Sequence, residues 1–215
     1  HKYELIRASA NWETARDQAK AKGGYLIEIE NKLENENLFD NLGKRISFEF
    51  GRESIADDGG GSAYVWTGGN DIDVEGVWKW DSSGDSIDLN RPEWGFTDEN
   101  QPVDIKEPDD GSGEGTQDGL AIALETWPYP PTQDQFPPDQ RLIIGSPGEW
   151  NDVNITNKLY YVIEYEPPSY SVSTSSNSIN EGESFGTNIS TTNVDQGTTL
   201  YWQLSGNNIT ANDLD

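Results

Sequence analysis

The chain of 215 residues carries 14 Lys and Arg against 39 Asp and Glu, and its net charge of −25 disfavours nucleic acid and anionic membrane surfaces as partners. It contains no Cys and a single His at position 1, which excludes disulfides, thiolate chemistry and a zinc site built from several nitrogen or sulfur ligands. No apolar run reaches the length of a membrane span. Eight Trp, nine Tyr and six Phe supply core material despite a hydrophobic share of 33%.

The first 30 residues predict a strand, a helix and a second strand. Residues 3–6 form the first strand, and Asn11 caps a helix that ends at Gly23. Residues 25–29 form the second strand. Another helix starts near Asn31, because a glutamate follows three residues later as in a capping box. The apolar faces of the two helices are formed by Trp12, Ala15 and Ala19 in the first and by Leu38, Phe39 and Leu42 in the second.

Strand patterns dominate the remainder of the first 166 residues. Apolar runs predict strands at 63–66, 76–80, 120–124 and 160–165. Residues 93–118 predict one long irregular loop, and a loop of that length is usually functional or disordered. A bound ion would order it. Residues 126–148, rich in Pro and aromatic residues, are expected to cover the surface near this loop.

The composition predicts a domain boundary after residue 166. Residues 167–169 form a Pro-Pro-Ser linker. Beyond them, alternating polar and apolar residues separated by turn signals predict an all-β sandwich, Ig-like or Calx-β-like. The 46 residues from 170 to 215 are about half of the roughly 100 that a sandwich needs. The sandwich is therefore expected to be incomplete, and the chain to be a piece of a larger multidomain protein or assembly.

Two short clusters of oxygen-bearing side chains stand out near the long loop. They are Glu107-Pro108-Asp109-Asp110 and Trp150-Asn151-Asp152. Each combines carboxylate or amide oxygens with a stiff or bulky residue, and a Gly-rich acidic stretch lies between them. A hard cation such as Ca²⁺ takes about 6–8 oxygen ligands. The two clusters together therefore predict a calcium site.

Several motifs in residues 1–166 together resemble those of the C-type lectin-like domain. They are the Trp12-x-x-Ala15 helix, Gly-Gly-Tyr-Leu at 23–26, Val-Trp-Thr-Gly at 65–68, Trp78-x-Trp80, the two clusters above and the closing strand at 161–164. The resemblance implies an α+β fold with two helices, antiparallel sheets and a long calcium-binding loop. The family's two disulfides are absent. The matching positions hold Ala19 with Ile163 and Gly119 with Ile155, and this absence resembles bacterial or phage members.

The resemblance implies that one Ca²⁺ is held by both clusters and by an acid between them. The ligands in the clusters are Glu107, Asp109, Asn151 and Asp152. The intervening acid is expected to be Glu114, the nearby carboxylate, whereas alignment from Asp118 would place Gln117 there. The peptide bond before Pro108 is expected to be cis, which would direct the flanking side chains towards the ion.

The resemblance also implies an auxiliary calcium cluster. It comprises Asp71, Glu75, Asp110 and Asp118. Four converging carboxylates would repel one another strongly without a cation. At least one structural Ca²⁺ is therefore expected there, together with a loss of stability on chelation.

In the family, two vicinal hydroxyls of a pyranose ligate the primary Ca²⁺ and hydrogen-bond to its protein ligands. In this chain those ligands are Glu107, Asp109, Asn151 and Asp152. The Glu-Pro-Asp order matches neither the mannose-type nor the galactose-type motif, because a carboxylate at 109 only accepts hydrogen bonds whereas an amide also donates. A mannose- or fucose-type sugar is favoured. Trp127 is expected either to stack on the sugar or to hold the Pro-rich segment in place.

The resemblance implies a calcium-dependent carbohydrate-binding module of a larger adhesin or fibre, located outside the cell, at a cell surface or on a virion. Its partner would be a cell-surface glycan or polysaccharide. Segments 180–185 and 197–202 fit this setting, because they resemble tandem β-sandwich repeats of bacterial surface proteins and phage structural proteins. The alternative is a protein-binding or structural module of the same fold without sugar activity. An enzyme is not predicted, because no nucleophile elbow, phosphate loop or catalytic histidine is present.

Overall fold

Two compact units make up the chain, His1–Tyr165 (unit 1) and Glu166–Asp215 (unit 2). The computed structural model describes residues 2–43, 53–96, 106–111, 115–129, 142–176, 178, 180 and 182–203. Within these ranges, no helix has both the length and the apolar character needed to traverse a lipid bilayer.

Helix α1 (Trp12–Ala21) confirms the first predicted helix and its cap. The Asn11 side chain accepts a hydrogen bond from Thr14 N at 2.9 Å, which satisfies one of the donors left free at a helix start. The chain leaves the helix through Gly23, whose φ of +82° favours glycine. The predicted apolar face of Trp12, Ala15 and Ala19 is buried.

Helix α2 (Lys32–Gly43) begins with the predicted capping arrangement. Asn31 Oδ1 accepts from Glu34 N at 3.0 Å, and the Glu34 carboxylate accepts in return from Glu30 N at 2.9 Å. Leu38 and Leu42 are buried. Local sequence therefore fixes where this helix starts, and its apolar face fixes how it packs.

The strands described in unit 1 are β1 (Lys2–Ala10), β2 (Tyr25–Leu26), β3 (Ile55–Ala56), β4 (Ser62–Asn70), β5 (Lys79–Trp80), β6 (Gly119–Ala123), β7 (Trp127–Tyr129), β8 (Leu142–Gly145), β9 (Trp150–Val153) and β10 (Leu159–Tyr165). An eight-stranded sheet has the order β1-β10-β4-β6-β9, with β2 on β10 and with β3 and β5 on β4. The β10–β4 pair is parallel and its neighbours are antiparallel. Strands β7 and β8 form a separate pair. Two helices and these sheets confirm the predicted α+β class.

Alternation along the central strands places neighbouring residues in two cores, one on each face of the sheet. Trp66 and Tyr161 belong to the core that contains the buried face of α1. Their neighbours Val65 and Tyr160 belong to the other core. In that second core, tryptophan rings meet edge to face with centroids 5.3–5.9 Å apart. These rings are Trp78, Trp80, Trp94 and Trp150, and the last of them anchors β9.

Some strands differ from the sequence-based predictions. In the 76–80 segment only the last two residues pair with β4, because Val77 N donates to Val74 O at 2.9 Å and closes a turn through Gly76 (φ +75°). The described parts of the Pro-rich segment form the β7–β8 pair. Strand β9 was not predicted as a strand, since its polar residues do not follow a simple alternation.

Unit 2 contains two antiparallel strands, β11 (Ser169–Thr174) and β12 (Thr187–Thr192). Their register places Val172 opposite Ile189, with Tyr170 on the same face of β11. Residues 199–203, the last that the structure describes, form no strand. The sandwich predicted for residues 170–215 stays a prediction.

Candidate metal centre

Strand β9 is the platform of the candidate site, because Asn151 and Asp152 follow directly after the buried Trp150. The first part of the predicted loop lies alongside it, since Gly95 N donates to Trp150 O at 2.9 Å. A later part of the same loop then pairs with this segment through Glu107 N, which donates to Gly95 O at 2.9 Å. Backbone hydrogen bonds thus bring the two predicted clusters together across forty residues of sequence.

A tight turn after Glu107 is organised by a single carboxylate. The Glu107–Pro108 peptide bond is cis, as expected. Asp109 N donates to one oxygen of Asp152 at 3.2 Å, and Asp110 N donates to the other at 2.8 Å. Asp152 therefore fixes the turn from β9 and brings the neighbouring acids close to its own charge.

Three carboxylates converge at this turn. Glu107, Asp109 and Asp152 each bring an oxygen to within 4.8 Å of the other two, and only Asp109 is exposed. Glu107 Oε1 accepts from Trp127 Nε1 at 3.4 Å. Among the described residues no donor reaches Glu107 Oε2, which is buried. A buried acceptor without a partner is costly, and a carboxylate triad open on one side suits a hard cation.

The electrostatics of the triad follow from its burial. Burial raises the pKa of Glu107 well above its usual range, and the nearby Asp152 carboxylate raises it further. Burial also raises the pKa of Asp109, and it raises that of Asp152 to about 6. The two backbone N–H groups that bond to Asp152 favour its ionised form. Burial thus raises the pKa of all three carboxyl groups, and a bound cation would compete with protons for them.

Asn151 is held by a tyrosine that the sequence did not indicate. Its side chain is 3% exposed, and its Nδ2 donates to Tyr64 Oη at 2.9 Å. Tyr64 Oη in turn donates to Gly59 O at 2.8 Å. These two hydrogen bonds fix the orientation of the Asn151 carboxamide, so that its Oδ1 is turned away from Tyr64.

The intervening ligand had two sequence candidates. Glu114 lies outside the described residues. Gln117 is buried against β9, where its Nε2 donates to Asp152 O at 3.0 Å and lies 3.3 Å from Asp58 Oδ2. The structure thus brings Gln117 next to Asp152, and the part played by Glu114 stays a prediction.

The predicted auxiliary residues also share one neighbourhood. Asp71 N donates to Asp118 O at 3.2 Å, and Asp71 Oδ2 accepts from Gly76 N at 2.9 Å. Burial raises the pKa of Asp71 to about 6, with further contributions from Glu75 and Asp118. Burial and Asp110 raise the pKa of Asp118. Within the described part of the chain, no donor meets the buried Asp71 Oδ1. Asp71 therefore shares with Glu107 a buried oxygen without a donor, but among the described residues only Glu107, Asp109 and Asp152 bring three ligand oxygens within 4.8 Å of one another.

Trp127 is part of the core and does not form a surface on which a sugar could stack. Its side chain is 1% exposed and its ring lies 5.8 Å from that of Tyr64. Gly95 and Gly145 flank the ring so closely that a Cβ on either would lie within 2.4 Å of it. Of the two roles expected for Trp127, stacking on a sugar is corrected, because backbone encloses the ring and its Nε1 donates to Glu107.

An exposed aromatic residue near the site was missed by the sequence analysis. Phe96 is 49% exposed and forms a β-bridge with Lys106, the residue before Glu107. It follows Gly95 on the segment that lies beside β9. Its position in Trp-Gly-Phe gave no signal, because only the pairing across the loop brings it to this place.

Comparisons with known proteins give similarities of structure alone. No protein-family model matches the chain, and no curated protein sequence matches it. Human lithostathine is similar over 77% of this chain and 91% of its own, with 13% identity and a TM-score of 0.46. The carbohydrate-recognition domain of the mouse scavenger receptor C-type lectin covers 76% and 90%, with 19% identity and a TM-score of 0.43. That of cow CD23 covers 75% and 84%, with 21% identity and a TM-score of 0.41.

Proposed function

We propose that unit 1 is a non-catalytic module that holds Ca²⁺ at Glu107, Asp109, Asn151 and Asp152 and binds glycans through that ion. The observation that carries this proposal is the buried Glu107 Oε2, which has no donor among the described residues and lies within the carboxylate triad. A divalent cation would satisfy this oxygen and remove the repulsion among three like charges. Glu114 or Gln117 would complete the set.

A second Ca²⁺ is proposed at Asp71, Glu75, Asp110 and Asp118. The buried Asp71 Oδ1 supports it, because this oxygen also lacks a donor among the described residues. Asp110 links the two sites, since its N donates to Asp152 while its Oδ1 accepts from Gln117 N at 3.1 Å. The second ion would therefore hold the turn that shapes the first.

The sugar chemistry follows from the ligands of the primary ion. Asp109 is the exposed member of the triad and marks the side open to a ligand. Its carboxylate only accepts hydrogen bonds, and one N–H of the Asn151 amide is already donated to Tyr64 Oη. Vicinal sugar hydroxyls would thus ligate Ca²⁺ and donate to carboxylates. A mannose- or fucose-type sugar is proposed.

The proposed partner is a glycan or polysaccharide on a cell surface, and the proposed setting is the cell or virion surface within a larger adhesin or fibre. Extracellular calcium modules have dissociation constants of about 10⁻⁴–10⁻³ M. Free Ca²⁺ well above such concentrations would keep both proposed sites loaded and would offset part of the net charge of −25.

The decisive experiment is a glycan array probed in millimolar Ca²⁺ and again in EDTA. Glycans with terminal mannose or fucose should bind, and the signal should vanish in EDTA and return when Ca²⁺ is restored. Asn151→Ala should abolish the signal, whereas Asn90→Ala, at an exposed position away from the triad, should not. Sugar binding that persists in EDTA or in Asn151→Ala would refute the proposed site.

A protein-binding or structural module without sugar activity is the second candidate. The burial of Trp127 favours it, because this ring does not provide the surface on which a sugar was expected to stack. The glycan array and titration calorimetry with Ca²⁺ together distinguish the two candidates. Calcium binding without any glycan signal would support a protein-binding or structural module, and no calcium binding would refute the calcium-dependent lectin.

A further inference from the structure

A cleft of about 600 Å³ lies between β1 and α2, lined by residues that the proposed calcium sites do not use. Its volume falls within the range of about 300–1,000 Å³ that is typical of ligand pockets. The inner wall comes from Leu5 on β1 and Val162 on β10, and the opposite wall comes from one side of α2. Five of the eleven described lining residues are aliphatic, namely Leu5, Leu33, Leu38, Leu42 and Val162.

The rim of the cleft exposes an apolar side chain. Leu33, in the first turn of α2, is 65% exposed. Asn37 and Asn41 follow it at intervals of four residues, line the same cleft and therefore lie on the same side of the helix. The cleft therefore offers a ligand both aliphatic contacts and amide groups for hydrogen bonds.

The charge at the cleft is negative. Glu30 and Glu34 line it, and none of its described lining residues is basic. The two lysines nearest in sequence have other contacts. Lys32 pairs with Glu36 at 3.7 Å, and Lys2 lies 5.3 Å from the centre of the Tyr165 ring.

The phenol of Tyr3 lies close to the same negatively charged carboxylates. Its Oη donates to Glu34 at 2.7 Å. Burial raises the pKa of Tyr3, and the carboxylates of Glu34, Glu164 and Glu30 raise it further. A cation that enters the cleft would meet these charges in a partly desolvated setting, where the attraction is stronger than at an open surface.

We propose that this cleft binds a peptide segment in which an apolar side chain stands next to lysine or arginine. The apolar side chain would fill the space between Leu5, Leu38 and Leu42, and the basic group would pair with Glu30 and Glu34. The asparagines of α2 can both donate to and accept from the peptide backbone. Binding here is independent of calcium and sugar, so the cleft would give unit 1 a protein partner besides its proposed glycan.

The test uses the ¹⁵N-labelled full chain, saturated with Ca²⁺, and three capped peptides of equal length. One alternates lysine and leucine, one alternates glutamate and leucine, and one alternates lysine and serine. Only the lysine–leucine peptide should shift the backbone amide signals of Tyr3, Glu34 and Asn37. Equal binding of both lysine peptides, binding elsewhere on the acidic surface, or no binding at millimolar peptide would each overturn the proposal.

Paired variants locate the interaction. Glu30→Gln with Glu34→Gln should weaken the lysine–leucine peptide about fivefold or more, as expected for the loss of partly buried ion pairs. Leu33→Asn should weaken it as well. The matched controls are Glu36→Gln on the same helix and Val77→Asn at another exposed apolar position (56% exposed), both outside the cleft lining. Variants and controls that bind alike would refute the cleft as the site.

Discussion

At the scale of single residues, Glu107 explains why the candidate site needs a cation. Its carboxylate is buried, one oxygen accepts only from Trp127 at 3.4 Å, and the other meets no donor among the described residues. The neighbouring acids Asp109 and Asp152 add repulsion. Such a group stabilises the fold only when a positive charge faces it, since a buried, unpaired charge is strongly destabilising.

The variant Glu107→Gln distinguishes the effect of this carboxylate on stability from its effect on calcium binding. Without calcium, glutamine imitates the protonated acid, so the melting temperature in EDTA should equal or exceed that of the wild type. Calcium affinity should fall at least about tenfold, because a direct ligand matters no less than the outer contacts of a metal site. Thermal denaturation with and without Ca²⁺ measures both effects. Glu13→Gln, at an exposed position in α1, is the matched control, and an unchanged calcium response in Glu107→Gln would contradict the site.

At the scale of elements, the β7–β8 pair holds the Trp127 ring, and this ring contacts the Glu107 carboxylate of the triad. Gly145 on β8 lies so close to the Trp127 ring that a Cβ there would sit 1.9 Å from it, and Trp127 donates to Glu107. The position of Glu107 thus depends on a close approach between two strands, and this approach requires a residue without a side chain.

Gly145→Ala should disturb the site without touching a ligand. The added methyl group would displace the Trp127 ring and cost about 1–3 kcal/mol of unfolding free energy, as overpacked cores do. Calcium affinity should fall as well, because Glu107 loses its donor. Urea denaturation followed by tryptophan fluorescence measures the first effect, and calorimetry measures the second. Gly186→Ala serves as the control, since its Cβ would approach nothing closer than Ser175 Oγ at 3.8 Å. Equal stability of both variants would show that Trp127 is not held in this way.

At the scale of the whole molecule, unit 1 carries several buried acids whose pKa values are raised. Burial raises the pKa of Asp71 and of Asp152 to about 6 and that of Glu164 to about 7. Unfolded aspartate and glutamate titrate near pH 4. Between about pH 4 and 7 the folded chain therefore binds more protons than the unfolded chain, and the free energy of unfolding falls as pH rises through this window.

In EDTA the melting temperature of unit 1 should be higher at pH 5 than at pH 8, by about 5 °C or more for a unit of this size. Calcium should reverse this trend, since Ca²⁺ competes with protons for the same carboxylates. The fluorescence of the tryptophans measures it, because seven of the eight lie in unit 1. A melting temperature in EDTA that rises from pH 5 to pH 8 would contradict the buried acids described here.

The sequence by itself determined the parts that depend on neighbours along the chain. The cap at Asn11 and the start of α2 at Asn31 follow from residues within a few positions of each other. The two acidic clusters were visible for the same reason. Apolar patterns also predicted the buried central strands, whereas the α+β class and the cis bond before Pro108 were expected from the resemblance.

Only the tertiary structure decided which residues distant in sequence contact the residues of the site. Tyr64 orients Asn151 across 87 positions, Gly145 admits the Trp127 ring, and Phe96 pairs with Lys106 across the loop. These contacts depend on strand order and register, which set the partners of a side chain irrespective of its neighbours in sequence. Local patterns carry no trace of such partners, so Trp127 could not be assigned to the core until β7 and β8 were seen to enclose it.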